Sequence, residues 1–158
     1  MLPRIPLLTG EDLSPAQQRV YARIVSGPRG RMIGPFRAAL HSPELAEAWQ
    51  AMGEVLRYRN SFPKRLSELA VIVVGRYWAS EVEWYVHAAE ARAAGLSDAV
   101  IEAVRTGALP VFEDSGEQGI YEFTCELLQR GEVSDASYDA VRTSFGDVGV
   151  VELAALVG

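Results

Sequence analysis

The stretch Leu66-Ser67-Glu68-Leu69-Ala70-Val71-Ile72-Val73-Val74-Gly75-Arg76-Tyr77-Trp78-Ala79-Ser80-Glu81-Val82-Glu83-Trp84-Tyr85-Val86-His87-Ala88-Ala89-Glu90 decides the fold. Its run Val71–Val74 suits a buried strand as well as a helix. The full run from Leu66 to Ala79 is too long for a typical strand, and helical patterns flank it, so the reading is helix. A break near Ala79–Ser80 predicts two helices folded against each other. Both are apolar nearly all the way round, which marks buried helices. Polar groups in such surroundings are costly unless paired or used. Glu68, Ser80, Glu83 and His87 are therefore the residues to explain.

At about 100° per residue, Ser80, Glu83, Trp84, His87, Ala91 and Ala94 share one arc. Val82, Val86, Ala89 and Ala93 share a second, and Glu81, Tyr85 and Arg92 a third that faces solvent. Glu83 and His87 stand at i,i+4, where side chains meet. A solvated surface pair is the ordinary explanation of that spacing, but Trp84 and Ala91 beside it are not charged. On the preceding helix Glu68 shares a face with Ile72, Gly75 and Ala79. Gly75 lets a neighbouring helix come close, at a cost in helix propensity, and folding at the break would bring Glu68 towards His87.

Working outward, the pattern stays helical. Residues 1–13 read as an extended lead-in fixed by Pro3 and Pro6. Ser14-Pro15 opens a helix to about Val25, with Ser as N-cap and Pro at the first position. Gly27–Gly30 is a loop, and Arg31–Phe36 is apolar but rich in turn residues. Ser42-Pro43-Glu44 opens a helix to about Arg59 with an expected inner face of Leu45, Ala48, Trp49, Met52, Val55 and Leu56. Gly95 ends the second organising helix as a C′ glycine. Ser97-Asp98 starts a helix to about Thr106. Ser115 with Gln118 resembles a capping box for a helix to Arg130, and Ser134-Asp135 starts one to about Ser144. Phe145-Gly146 is a break before a very apolar last helix, Val148–Val157, which is expected to be buried in the core or in a subunit interface, or to be cut short, since nothing polar closes it. No strand alternation or repeat stands out, so the class is all-α with about eight helices.

The chain has 158 residues and a formal net charge of −6, enough for one domain with its own core. The acidic balance argues against nucleic acid, which calls for a basic patch. No apolar run approaches the roughly 20 residues that span a bilayer, and Met1–Pro6 holds no signal-peptide core. A single cysteine, Cys125, suggests a reducing, cytoplasmic setting. Among Phe123, Leu127 and Leu128 it reads as a small buried hydrophobe. With His41 and His87 as the two histidines and no EF-hand or zinc spacing, no metal is expected.

Gly34-Pro35-Phe36, His41–Ala46, Glu68-Leu69-Ala70, Glu83-Trp84-Tyr85-Val86-His87 and Ala94-Gly95-Leu96-Ser97 together resemble the carboxymuconolactone decarboxylase family, whose superfamily includes the AhpD-type alkylhydroperoxidases. The resemblance runs from about Ile33 to the end. It implies an AhpD-like helical bundle with a central helical hairpin carrying the site, homo-oligomers, often trimers or hexamers, and a role in aromatic compound catabolism. The peroxidase branch carries Cys-x-x-Cys-x-x-x-His with a Glu twelve residues before the first cysteine. Here that Glu matches Glu68 and the histidine His87, but the cysteine positions are Ser80 and Glu83. Serine and glutamate cannot run a thiol–disulfide cycle, so peroxidase activity is not expected to carry over.

Decarboxylation of a lactone acid without a cofactor needs a held carboxylate, a stabilised dienolate and a proton delivered to carbon. His87 is the expected acid or base. Glu83 is expected to orient it or share its proton, Glu68 to add a second carboxyl group, and Ser80 to donate to an oxyanion. Arg37 is the candidate for a substrate carboxylate, ahead of Arg76, which reads as a helix-surface charge. Phe36, Trp78 and Trp84 are candidate apolar walls. The expected activity is a lyase on a small carboxylated lactone or related acid; the rival is an oligomeric binding module that keeps the pocket without the reaction.

Overall fold

The computed structural model describes residues 4–158; the start of the lead-in, Pro3 included, lies outside the described residues. Among the described residues there are eight helices and no strand: α1 (Pro15–Ser26), α2 (Gly34–Ala39), α3 (Pro43–Tyr58), α4 (Lys64–Tyr77), α5 (Glu81–Ala93), α6 (Asp98–Thr106), α7 (Ser115–Arg130) and α8 (Asp135–Val157). The protein is all-α. Two compact units divide it, Met1–Arg59 and Asn60–Gly158.

In the first unit, Ser14 accepts from the Gln17 amide and Gln17 returns the bond, so α1 starts on a full capping box. Leu13, Val20, Ile24, Phe36, Leu40 and Ala46 form the core. The turn-rich segment before Arg37 contains a short helix, α2, with Pro35 in its first turn. The expected inner face of α3 is corrected by the structure. Ala46 and Gln50 are its buried residues, while Leu45, Ala48, Trp49, Met52 and Val55 are exposed. Periodicity locates an apolar stripe but does not say what covers it.

In the second unit α4 is the central element, packed against α5, α6, α7 and α8. Eight of its residues are buried, from Leu66 to Gly75, which fits its all-round apolar sequence. Side chains fasten its N-terminal end. Arg65 bridges Asp114 at 2.5 Å and Glu117 at 3.0 Å, at the start of α7. The backbone N–H and hydroxyl of Ser61, just before α4, both donate to Glu152 Oε2 on α8. Asp114, not Ser115, caps α7, accepting from the amides of Gly116 and Glu117. A side chain at the N-cap reaches N2 and N3, and Asp114 occupies that position because Ser115 already belongs to the helix. The break at Phe145–Gly146 is a kink inside α8, where Gly146 adopts φ 69°, ψ −174°. A side chain there would be strained.

On α5 the expected arc of Glu81, Tyr85 and Arg92 faces solvent, and of the two other arcs only one is buried. His87, Ala88 and Ala91 are buried, Trp84 packs against the core, and Val82, Ala89 and Ala93 are exposed. The turn between α4 and α5 holds Ala79 at φ 51°, in the left-handed region that costs a side-chain-bearing residue about 1–2 kcal/mol. Ala79→Gly is therefore expected to leave the protein unchanged or up to about 1 kcal/mol more stable. The same change at exposed, helical Ala93 should cost about 1 kcal/mol. Urea unfolding of the two variants beside the parent checks the difference in sign.

Candidate active site

The α4–α5 hairpin brings three of the four expected catalytic residues into line. A Cβ on Gly75 would stand 3.3 Å from the Glu83 Cβ and 3.6 Å from the Trp84 amide nitrogen. The helices thus cross at a distance that only a bare glycine allows without displacement. Glu68 lies two turns before that crossing on α4, and His87 lies one turn beyond Glu83 on α5. The crossing sets them opposite each other. His87 Nδ1 is 2.7 Å from Glu68 Oε2, and His87 Nε2 is 3.2 Å from Glu83 Oε2. Both imidazole nitrogens face a carboxylate.

Burial differs sharply along this line. The Glu68 side chain is 4% exposed, His87 9% and Glu83 48%. Glu68 lies in a run of α4 whose Leu69, Ala70 and Ile72 are fully enclosed. A carboxylate there requires a hydrogen-bonded partner, and His87 Nδ1–H supplies it. This bond fixes the ring's orientation and turns Nε2 away from the sealed side. Nε2 points to Glu83, the member of the line that reaches water. Glu68, from the other helix, is thus the enclosed carboxylate at the ring, and Glu83, the i,i+4 neighbour, the half-exposed one.

Ser80 sits at the N-cap of α5 without a side-chain cap bond. Its hydroxyl is therefore not spent on the helix end, and its amide is held by the Gly75 carbonyl at 2.8 Å. An open cleft of about 700 Å³ lies at this corner, lined by Gly75, Ala79, Ser80, Val82, Trp84 and Tyr85 among others. Glu68, Glu83 and His87 do not line it. Ser80 and Trp84 are the expected site residues that do. Arg105, for which the sequence held no signal, also borders the cleft; its backbone carbonyl accepts from Arg76 Nε at 2.9 Å, and Arg76 is exposed as expected.

The remaining candidates lie elsewhere. Trp78 is exposed and stands edge-on to Tyr77, with ring centroids 5.1 Å apart. Phe36 and Arg37 belong to the first unit. Phe36 is buried in its core, and Arg37 donates to the backbone carbonyls of Leu8 and Leu7 at 3.2 and 3.3 Å. Arg37 is thereby engaged in holding the lead-in.

Cys125 is half-buried on α7, packed against the core. Burial raises its thiol above the ordinary value, opposed in part by a hydrogen bond with Tyr121; burial and Cys125 together push the Tyr121 hydroxyl up to about 12. The raised thiol favours folding fully below the unfolded-chain value of about 8.5, and this contribution is lost as pH rises above it. Alkylation by iodoacetamide at pH 8 should accordingly be slow in the native protein and fast after unfolding, and Cys125→Ser should leave any turnover intact. Equal native and unfolded labelling rates would contradict this environment.

Among the described residues no group of three or more His, Cys, Asp or Glu side chains is placed to hold a metal ion, and no helix is long and apolar enough to cross a membrane.

Fold and site together define an all-α protein with a helical hairpin that aligns a buried glutamate, a histidine and a water-facing glutamate. Residues 43–119, a stretch that contains the whole hairpin, match the model of the carboxymuconolactone decarboxylase family, and the chain is similar to its AhpD-like members but lacks the Cys-x-x-Cys pair. No curated protein and no solved structure matches the chain.

Proposed function

We propose that the protein is a cofactor-independent lyase that removes carbon dioxide from a small carboxylated lactone or related acid, with His87 as its acid–base residue. The observation that carries this is the continuous line from Glu68 through His87 to Glu83, running from a sealed carboxylate to one in water. The substrate's carbon–carboxylate bond breaks, carbon dioxide leaves, and the bonding electrons enter the conjugated system as a dienolate. His87 Nε2 then gives its proton to carbon, and Glu83, free to swing away from Nε2 when substrate arrives, returns a proton from solvent. Glu68 holds Nδ1 throughout and stabilises the imidazolium. Ser80, with no capping duty, donates to the oxyanion. A screen of carboxylated lactones, following carbon dioxide release and loss of lactone absorbance, tests the reading. Binding without turnover across such a screen would favour a binding module instead.

The protein also works, in this reading, as a homo-oligomer, a trimer or hexamer, in a reducing cytoplasmic setting. Supporting the assembly are Tyr77, Trp78, Val82 and Tyr85, which cluster at the hairpin corner and are all exposed in the single chain, Tyr85 at 82%. An apolar group of this size on one corner is a feature of association surfaces. Sedimentation at micromolar concentration should show an assembly that the double variant Val82→Glu, Tyr85→Lys dissociates. A parent that sediments as a monomer would end the proposal.

A further inference from the structure

The first unit holds cations that its own carboxylates do not neutralise. Arg29, in the loop between α1 and α2, has its guanidinium carbon 4.6 Å from the centroid of the Phe36 ring. Phe36 is buried and lies 5.3 Å, centroid to centroid, from Trp49. The guanidinium thus rests on an aromatic floor, an arrangement that suits arginine's planar, weakly hydrated head. Its Nε is enclosed and has no hydrogen-bond partner.

Neither Arg29 nor Arg57 makes an ion pair among the described residues, whereas Arg23, Arg59, Arg65, Arg92, Arg105 and Arg142 all do. Glu54 is near enough to act on Arg29's charge, but its two oxygens are engaged elsewhere: one accepts from Gln50 Nε2 at 3.0 Å, the other faces Arg59 Nη2 at 3.6 Å. Burial lowers the Arg29 value, and of its charged neighbours Arg57 pushes the same way. Arg57 itself lies over the Tyr58 ring at 5.6 Å. An enclosed N–H without an acceptor costs free energy, and an arriving anion would supply the acceptor. The surroundings specify more than charge. The exposed Trp49, Met52 and Val55 on α3 offer apolar contact that a bare inorganic anion cannot use.

We propose that Arg29, over the Phe36 ring, and Arg57, over the Tyr58 ring, form with the neighbouring Trp49 a binding site for a small organic carboxylate with a flat, unsaturated ring. The carboxylate takes the guanidinium N–H groups, Arg29 Nε included, and the ring takes the aromatic and apolar surface of α3. The site lies wholly within the first unit and does not depend on the reaction assigned to His87.

The test uses the full chain with sodium benzoate as the probe, and benzamide and inorganic phosphate as comparisons, all at one ionic strength. Calorimetry gives affinities. The Arg29 Nε–Hε resonance, assigned by its loss in Arg29→Lys, reports the site directly. Benzoate should shift that resonance and bind at least about ten-fold more tightly than either comparison, and Arg29→Gln or Arg57→Gln should each weaken it by about ten-fold, the scale of one charge-assisted hydrogen bond. His87→Gln should bind benzoate as the parent does, which separates this site from the proposed activity. Equal binding of benzamide or phosphate, an unmoved Arg29 resonance, or undiminished affinity in Arg57→Gln would each overturn the proposal. Should Arg29→Gln fail to fold, the resonance and Arg57→Gln decide it alone.

Discussion

His87→Gln is expected to lower turnover by about 10²–10⁴-fold, the usual contribution of general acid–base catalysis, while the protein keeps its fold. Glutamine fills much of the imidazole's volume, and its amide can still donate to Glu68. It cannot carry a proton to carbon. The loss should therefore fall on kcat, with KM little changed, because the proton is needed in the transition state and not for binding. Glu83→Gln should be milder. It leaves the Glu68–His87 bond of 2.7 Å intact and removes only the half-exposed group that returns the proton. The measurement is carbon dioxide release by the two variants and the parent on a substrate found by the lactone screen, with melting recorded for each. If both variants match the parent rate, His87 is not the acid–base residue, and the family resemblance stands without the mechanism.

Glu68→Ala should be the most destabilising change in the hairpin, by about 3 kcal/mol. The substitution leaves the Nδ1–H of a buried histidine without an acceptor and opens a cavity where a side chain only 4% exposed had been. A buried donor without a partner costs about 1–3 kcal/mol, and breaking a buried pair about 3–5 kcal/mol. Glu68→Gln keeps an acceptor oxygen and the volume, so it should cost about 1 kcal/mol. The double variant Glu68→Ala, His87→Ala should be less destabilised than the two single changes added together, since it removes both members of the pair. Urea denaturation of the four proteins measures this coupling. Strict additivity would show that the contact does not contribute to stability.

The sequence by itself determined the all-α class and the hairpin. Leu66–Ala79 is too long and too apolar for a strand, Gly75 marks a close crossing, and Gly95, at φ 95°, stops α5. It also placed the caps at Ser14, Ser97 and Ser134, because capping is a bond between residues two or three apart. The pairing of Glu83 with His87 was legible for the same reason, being an i,i+4 relation within one helix. Tertiary structure decided the rest. Glu68 and His87 are nineteen residues apart, and the sequence suggested their approach without giving its geometry or assigning Glu68 the sealed, orienting place. The exposed face of α3 and the exposure of Val82, Ala89 and Ala93 on α5 were equally hidden. Apolar periodicity is a property of one helix, whereas burial is a property of whatever packs on it. Which side chains meet across two helices depends on their crossing distance and rotation, and those are set by every other contact the helices make.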